Sequence, residues 1–367
     1  MSITTTYTDT LPPTLQDGRE EPIEAEFLYW ASKRENDPSE AVAMVNGQCE
    51  AMARTILPVY NIRPNLASVN HESHGFQIVE NESTFLQRYG SDFDFSDFKS
   101  VHAQHSQDVI ALVKEELSVR SAVVLNNVFR ESSPELHDNG SVRPPGVSKE
   151  TNPSKPFHIV HNDYSLPGAN ISLRAMVPSF FEDTGTVDIF TKEERDRFFR
   201  LRDEILSAQE DAIAESGASS HQTWNGANYR GPRWGHFSIW RPIEPVQQDP
   251  LAVLDPNSLF ANISLHDEEH KPYMRARLLL RSRQGFLPEF EYRNMMPLLP
   301  RDNQSHRWLW LKDQQPNEVN FLKLFDSEAW KEGSRVMPCA PHSAFSLPNT
   351  AHLPPRRSIE TRVLVVW

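Results

Sequence analysis

Hydrophobic residues in this chain fall into many short runs rather than long helical stripes. The runs rich in β-branched and aromatic residues, bounded by turn residues, are 74–85, 121–129, 157–161, 235–240, 252–254, 308–312, 319–325, 344–347 and 359–367. Because few helical patterns lie between them, this order favours an antiparallel sandwich or barrel over alternating strands and helices. We therefore predict a mainly β fold with some α, a jelly-roll-like double sheet with flanking helices.

Helical periodicity predicts three helices, over residues 38–56, 97–119 and 191–215. The last has the clearest boundaries. Thr191 and Glu194 match a capping box at its start, and Gly217 offers a stop just beyond its end. This segment is expected to be a helix packed outside the sheets.

The domain organisation follows from these elements. The segments with many polar, Pro or Gly residues, which we interpret as loops, are 131–156, 215–235 and 265–305. No internal repeat is visible, so we expect one domain over residues 1–367. In this interpretation an α-rich portion, 1–120, packs on a β core, 121–367, that carries a helical insertion near 190–216.

Net charge and cysteine content limit the classes of partner and the kind of fold that this chain can have. The chain has 37 Lys and Arg against 50 Asp and Glu, a formal net charge of -13. Nucleic acids and anionic membranes attract clustered positive charge, so we expect neither as a partner and favour a small-molecule substrate. Two cysteines exclude a disulfide framework. Lacking a signal peptide or membrane-spanning run, the protein is expected to be cytoplasmic; its oligomeric state stays open, a homodimer included.

Candidate metal ligands begin with His161 and Asp163, two residues apart at the end of a predicted strand. The spacing alone is uninformative: His-x-Asp/Glu occurs twice, at His161 and His266, as often as chance gives with 14 His and 50 acidic residues in 367. A histidine from a distant strand changes this. His342, at the start of a C-terminal strand, would complete the two-histidine, one-carboxylate set that binds Fe(II).

A candidate anion site lies fourteen residues after His342, at Arg356 and Ser358. An Arg and a Ser two apart on a strand face the same way, and together they could hold one carboxylate. Arg357 and Arg362 are alternative anchors. Another Arg-x-Ser, at Arg130, precedes the His-x-Asp motif and is in the wrong order.

In this order the motifs resemble those of the Fe(II)/2-oxoglutarate-dependent oxygenases. More narrowly, the chain is similar to the largely fungal hydroxylase/desaturase family related to the cephalosporin 7α-methoxylase component. The matching segments are 160–163 (Val-His-Asn-Asp), 240–242 (Trp-Arg-Pro), 249–252 (Asp-Pro-Leu-Ala), 341–345 (Pro-His-Ser-Ala-Phe) and 356–362 (Arg-Arg-Ser-Ile-Glu-Thr-Arg). The resemblance extends over residues 70–367.

The resemblance implies an enzyme with a cupin-like double-stranded β-helix core. His161, Asp163 and His342 would bind Fe(II), and the far carboxylate of 2-oxoglutarate would lie on Arg356 and Ser358, with O2 as second co-substrate. The reaction would be hydroxylation, desaturation or oxidative ring closure of a small secondary metabolite or amino-acid-derived substrate, with release of succinate and CO2. Further candidate substrate contacts are Arg241, Ser343 and Phe345.

Two other functions compete with this one. A zinc hydrolase could use His266, Glu269 and His270, which match H-x-x-E-H. The segment around them has almost no apolar face and Pro272 follows at once, which favours a polar loop instead. A non-catalytic small-molecule-binding or scaffold protein on the same fold is the other alternative, and it would bind neither Fe(II) nor 2-oxoglutarate.

Overall fold

The structure, a computed structural model, describes residues 21–30, 41–42, 52–90, 98–132, 155–177, 191–260, 265–266, 273–280, 290–297, 299 and 306–367. The strands are β1 (Ile23–Trp30), β2 (Ala41–Val42), β3 (Met52–Asn61), β4 (Phe76–Glu80), β5 (Ser121–Glu131), β6 (Trp234–Pro242), β7 (Leu251–Leu254), β8 (Tyr273–Leu280), β9 (Phe290–Pro297), β10 (Trp308–Trp310), β11 (Glu318–Asp326), β12 (His342–Ala344) and β13 (Arg357–Val366). The α-helices are α1 (Thr84–Tyr89), α2 (Phe98–Leu117), α3 (Leu166–Ala175), α4 (Lys192–Ser216) and α5 (Pro256–Phe260), with 3₁₀ turns at Arg63–Ser68 and Ser327–Trp330.

The strands form three sheets. The first sheet has the order β1-β3-β10-β7-β12, the second β4-β11-β6-β13-β5, and the third β2-β8-β9. In the first two sheets every pairing is antiparallel except that of β3 with β10. The fold is therefore mainly β with α, as the pattern of short strands predicts.

The first and second sheets face each other across a buried apolar cluster. Phe76 and Leu322 of the second sheet lie in this cluster with Val253 and Leu309 of the first. Because side chains alternate along a strand, the neighbours of these residues point to the outer faces. Each sheet therefore has one face directed at its partner.

The outer face of the first sheet is closed by aromatic packing. Phe27 of β1 stacks on Trp308 of β10, with ring centroids 4.2 Å apart and planes 10° from parallel. Both side chains are fully buried. Their stacking ties the N-terminal strand to the centre of the sheet, which becomes important for the position of the site.

Helix α4 has the boundaries that its sequence predicts. The Thr191 hydroxyl accepts a hydrogen bond from the Glu194 backbone, the Glu194 carboxylate accepts one from the Thr191 backbone, and Gly217 ends the helix in a left-handed conformation. Phe198 and Ile205 of its apolar face are fully buried. No helix in the described residues is both long and apolar enough to cross a membrane.

Two expectations about secondary structure need correction. The prediction of a helix over 38–56 is wrong for the part of this range that the structure describes, since Ala41–Val42 and Met52–Asn61 are strands. Residues 52–56 pair with β1 in antiparallel register, so tertiary pairing overrides the local helical pattern. The loop expected over 265–305 contains β8 and β9, which pair with each other in antiparallel register.

The N-terminal portion is also more closely integrated than expected. Within residues 1–120 the described part contains α1 and α2, but it also supplies β1 and β3 to the first sheet and β4 to the second. Extended segments expose backbone N–H and C=O groups along their edges. Here β3 pairs with β10 and β4 pairs with β11, and both partners come from the C-terminal half. These residues are part of the β core and do not merely pack on it.

Gly75, which precedes β4, offers a test of the close approach between this turn and the backbone of Cys339. Gly75 has φ +69°, and a Cβ there would lie 2.5 Å from the carbonyl oxygen of Cys339. We expect Gly75→Ala to lower the free energy of unfolding by about 3 kcal/mol or more, since backbone strain and overlap add. Gly217→Ala, at φ +72° with open space around it, should cost only about 1 kcal/mol. Urea denaturation measures both, and equal losses would contradict the clash.

Candidate active site

The segment that carries His161 is held by backbone hydrogen bonds to three strands. Val160 N–H donates to the Leu28 carbonyl of β1 (2.9 Å), and Asn162 exchanges two hydrogen bonds with Met295 of β9 (2.8 and 3.0 Å). Between them, His161 pairs with His342 of β12. This segment is therefore fixed on both sides, although it is too short to be a regular strand.

His161 and His342 lie directly opposite each other in this pairing. The His161 N–H donates to the His342 carbonyl (3.2 Å) and the His342 N–H donates back to the His161 carbonyl (2.9 Å). Their rings lie side by side, with centroids 4.5 Å apart. Two residues far apart in the sequence are thus placed together by the ladder itself.

Both imidazoles have the same hydrogen-bond arrangement. Nδ1 of His161 lies 2.8 Å from the Ile159 carbonyl, and Nδ1 of His342 lies 3.0 Å from the Ala340 carbonyl. A carbonyl oxygen only accepts, so each Nδ1 donates, which leaves Nε2 as the nitrogen that a metal would bind. A second hydrogen bond of this kind is typical of metal-binding histidines.

Asp163 lies on the same side of the segment as His161, while Asn162 points the other way. Its Oδ1 is 3.6 Å from His161 Nε2, and its Oδ2 accepts a hydrogen bond from Arg362 Nε at 2.8 Å. The Asn162 amide donates to the Tyr164 and Leu324 carbonyls (2.7 and 2.8 Å) and so fixes the alternation. In the described residues, no group of three or more His, Cys, Asp or Glu side chains is close enough together to hold a metal ion.

The charge states nevertheless suit a divalent cation. Burial, and then the neighbouring His342, lower the pKa of His161 to about 4, so this imidazole is neutral at pH 7. Burial alone would raise the pKa of Asp163, but Arg362 and His161 lower it below its usual value. Imidazole nitrogens together with an ionised carboxylate are the donor types of a two-histidine, one-carboxylate Fe(II) site. Adjacent ligands of such an ion stand about 3 Å apart, close to the His161–Asp163 separation.

His161 and His342 border a cavity between the first and second sheets, with about 340 Å³ of empty space that includes its opening to solvent. The lining residues are Arg130, Phe157, His161, Ser238, Trp240, Leu251, Leu322, His342, Ala344, Arg356 and Glu360. The cavity thus combines apolar walls with a few charged groups. Small-molecule sites commonly have this composition.

Arg356 enters the cavity from the second sheet. Its guanidinium donates through Nη1 to the Asp249 carbonyl and lies 5.5 Å from the Trp240 ring centroid. Within the described part of the chain, neither Arg356 Nε nor Ser358 Oγ has a hydrogen-bond partner, and both residues are at least 97% buried. Buried polar atoms without partners are costly, so this pair is a place where an anionic ligand would be stabilised.

The electrostatics of Arg356 agree with an anion site. Burial lowers its pKa to about 9, the nearby Arg130 acts in the same direction, and Asp249 and Glu360 oppose them only in part. A buried cation with incomplete compensation gains stability when a carboxylate binds beside it.

The alternative arginines are held elsewhere. Arg357 lies on the opposite side of β13 and faces Glu244 at 3.7 Å. Arg362 is bonded to Asp163 and Glu360 (2.8 and 3.0 Å). Arg130 donates to Glu360 and to the Lys155 carbonyl. Of the four arginines, Arg356 is therefore the one whose geometry fits the predicted anchor.

The structure does not bring the three candidate substrate contacts into the cavity. The Arg241 guanidinium donates to the carbonyls of Asn81 and Pro316, both at 2.8 Å. Ser343 Oγ donates to the Ala344 carbonyl (2.8 Å), and Phe345 packs against Phe27 in the outer cluster. The reason is alternation, since each stands next to a residue that faces the cavity.

The competing zinc motif is only partly described. His266 lies in a turn, and Glu269 and His270 lie outside the described residues. This motif therefore gains no support from the geometry.

Several cavity residues were not singled out from the sequence. Trp240, Ser238 and Glu360 share a face with the anchor, since Trp240 pairs with Glu360 and Ser238 with Arg362 across β6 and β13. Period-two alternation from Ser358 would have identified Glu360. Placing Ser238 and Trp240 requires the pairing register of β6 and β13.

The fold is shared with solved structures. The iron and alpha-ketoglutarate-dependent endoperoxidase NvfI superposes with a TM-score of 0.63 and 21% identity, over 95% of this chain and 99% of that chain. A W199F variant of it gives 0.62 and 22%. At this level of identity the match shows the fold.

Curated relatives cover most of the chain. The gibberellin cluster GA4 desaturase of Gibberella fujikuroi is 25% identical over 333 residues, 84% of this chain and 86% of the relative. The alpha-ketoglutarate-dependent dioxygenase tstK of Talaromyces stipitatus is 22% identical over 342 residues, 92% and 95% of the two chains.

These comparisons identify the class, an oxidoreductase enzyme. A family model described as the oxidoreductase/YMDC permease-like domain matches residues 21–188 and 212–366. The chain therefore belongs to this family. The resemblance to fungal hydroxylases and desaturases is confirmed.

His236 provides a test of the buried electrostatics. Burial lowers its pKa to about 3, and its ring stacks on Tyr164 with centroids 4.3 Å apart. Because the unfolded chain binds this proton more readily, stability is lost as pH falls from the ordinary value of about 6.5 toward 3.

We expect His236→Phe to reduce this acid sensitivity. Over that window, the slope of unfolding free energy against pH should decrease by up to about 1.4 kcal/mol per pH unit relative to the wild type. Denaturant unfolding at several pH values measures the slope. His352→Phe, at an exposed histidine, serves as control, and an unchanged slope in His236→Phe would contradict the assignment.

Proposed function

We propose that His161, Asp163 and His342 hold Fe(II), that Arg356 and Ser358 hold the far carboxylate of 2-oxoglutarate, and that the enzyme uses them with O2 to oxidise a small molecule. Two relatives are named as alpha-ketoglutarate-dependent (2-oxoglutarate-dependent) dioxygenases, and the structural neighbour NvfI is named as dependent on both iron and alpha-ketoglutarate. The observation that carries the residue assignment is the reciprocal pairing of His161 with His342 beside a cavity that Arg356 enters.

We further propose that the two facing sheets form a double-stranded β-helix of the jelly-roll, cupin-like type. In support, the five-stranded sheets are almost wholly antiparallel and enclose the cavity between their inner faces. The superposition on NvfI over 95% of the chain also favours this architecture.

The chain's own residues have separable tasks in the reaction. The Nε2 atoms of His161 and His342 and a carboxylate oxygen of Asp163 would hold the metal. The bound iron with 2-oxoglutarate would supply an oxidant from O2, with release of succinate and CO2. The anchor on the second sheet would orient the keto acid toward the first, a positioning effect that enzymes use to lower the barrier.

Apolar walls limit what the cavity can accept. Phe157, Leu251 and Leu322 exclude water from the space beside His161 and His342, and Trp240 flanks Arg356. We propose a small, largely apolar secondary metabolite or amino-acid-derived molecule as substrate, undergoing hydroxylation, desaturation or ring closure. The cytoplasmic location, the oligomeric state and the absence of a nucleic-acid partner stay predictions.

Anaerobic titration tests the metal site. We expect Fe(II) and 2-oxoglutarate, added together under argon, to give a weak visible metal-to-ligand charge-transfer band. His342→Ala should abolish the band because one ligand is lost, and His352→Ala, at an exposed histidine, should retain it. Stoichiometric zinc binding with no such band would contradict the proposal and favour the motif at His266, Glu269 and His270.

The anchor is tested by comparing two adjacent arginines. Arg356→Ala should raise the KM for 2-oxoglutarate about 10- to 100-fold, because charge-assisted hydrogen bonds to the carboxylate are lost. Fe(II) affinity should change little. Arg357→Ala, on the opposite face, is the matched control and should keep the wild-type KM. If the two variants exchanged these results, Arg357 would be the anchor.

A further inference from the structure

A chain of four charged side chains, of which the two carboxylates are buried and the two arginines about 15% exposed, runs from the candidate metal ligand to the edge of the second sheet. Asp163 Oδ2 accepts from Arg362 Nε at 2.8 Å, and Arg362 Nη2 donates to Glu360 Oε1 at 3.0 Å. Glu360 Oε2 accepts from both Nε and Nη2 of Arg130, at 2.8 and 2.7 Å. The signs alternate along this chain.

The first of these hydrogen bonds selects which oxygen of Asp163 is available. A carboxylate can rotate about its Cβ–Cγ bond, which exchanges its two oxygens. With Oδ2 on Arg362, Oδ1 is left facing His161 Nε2, at 3.6 Å. The orientation of Asp163 is therefore set by the arginine and not by its own backbone alone.

The remaining members of the chain fix that arginine. Glu360 and Arg362 lie on one face of β13, while Arg130 comes from β5, the neighbouring strand. Arg130 is itself oriented by the Lys155 carbonyl, at 3.1 Å from Nη1. The hydrogen-bonded path thus crosses from β5 through β13 to the loop that carries Asp163.

A cluster of ion pairs with only a structural role would explain why these side chains are shielded from solvent. It would not explain why the chain of hydrogen bonds ends at Asp163. Two arginines and two carboxylates balance in charge, and such a cluster can stabilise a fold. Yet the chain of contacts ends at Asp163, the carboxylate whose Oδ1 lies 3.6 Å from His161 Nε2. Hydrogen-bond partners behind metal ligands commonly control their orientation and affinity.

We propose that Arg362 is a positioning residue that holds Asp163 with Oδ1 directed at the metal, and that Glu360 and Arg130 hold Arg362 in place. The inference rests on the proposed function, because it assigns a role toward the metal that His161, Asp163 and His342 would bind. It also gives a role to Arg130, whose Arg-x-Ser motif matches the anchor pattern but occurs before the His-x-Asp motif.

Metal binding to the folded apo protein provides the test. We expect Arg362→Lys, which keeps the charge but loses the planar fork, to weaken Fe(II) binding about 10- to 100-fold under argon. Arg130→Lys should weaken it in the same direction and by a smaller factor. Arg357→Lys on the opposite face of β13 is the matched control, with wild-type affinity. Co(II) provides an oxygen-stable second probe.

The apo melting temperature separates positioning from folding. A merely structural role predicts a lower Tm with an unchanged metal dissociation constant for the folded fraction, and that result would overturn the inference. If Arg362→Lys does not fold, Arg130→Lys decides: wild-type Fe(II) affinity in that folded variant would also overturn it. Absence of Fe(II) binding in the wild type would instead refute the proposed function, so the two failures are distinguishable.

Discussion

The reciprocal backbone pair between His161 and His342 is the constraint on which the site depends. Two N–H groups and two carbonyls satisfy each other across it, and a buried backbone segment that lost such partners would be strongly destabilised. The same two peptide groups therefore secure the fold and set the spacing of the imidazoles. Any shift of register by one residue would turn both rings away from the cavity.

Charge in the interior is arranged by the two sheets in different ways. The first sheet, with the segment paired to its β12, contributes the imidazoles of His342 and His161, and the second contributes Arg130, Arg356 and Glu360. Burial alone would raise the pKa of Glu360, but Arg130 and Arg362 hold it well below the usual range. The carboxylate thus stays ionised and pairs with both Arg130 and Arg362. The other arginine that lines the cavity, Arg356, has an Nε–H with no partner in the described part of the chain.

Much of this arrangement could be predicted from the sequence because it depends on local periodicity. Alternation along a strand brings Arg356 and Ser358 to one face, and the capping box fixes the start of the long helix. The same rule, applied strictly, would have placed Ser343 and Phe345 away from the cavity. The sequence pattern did not lead to a predicted strand over Phe290–Pro297, although apolar and charged residues alternate in its first four positions. By contrast, nothing local to Arg130 or Arg241 shows which partner each one meets, since both partners are remote in sequence.

The division of the site between two sheets makes its geometry depend on the thickness of the apolar layer between them. Phe76, Val253, Leu309 and Leu322 act as a spacer, and close-packed interiors transmit a change of even one methylene. The distance from imidazoles to guanidinium is therefore adjustable by core substitutions that contact neither. Divergent members of such a fold can retune which bond of a substrate is reached while every chemically active residue stays the same.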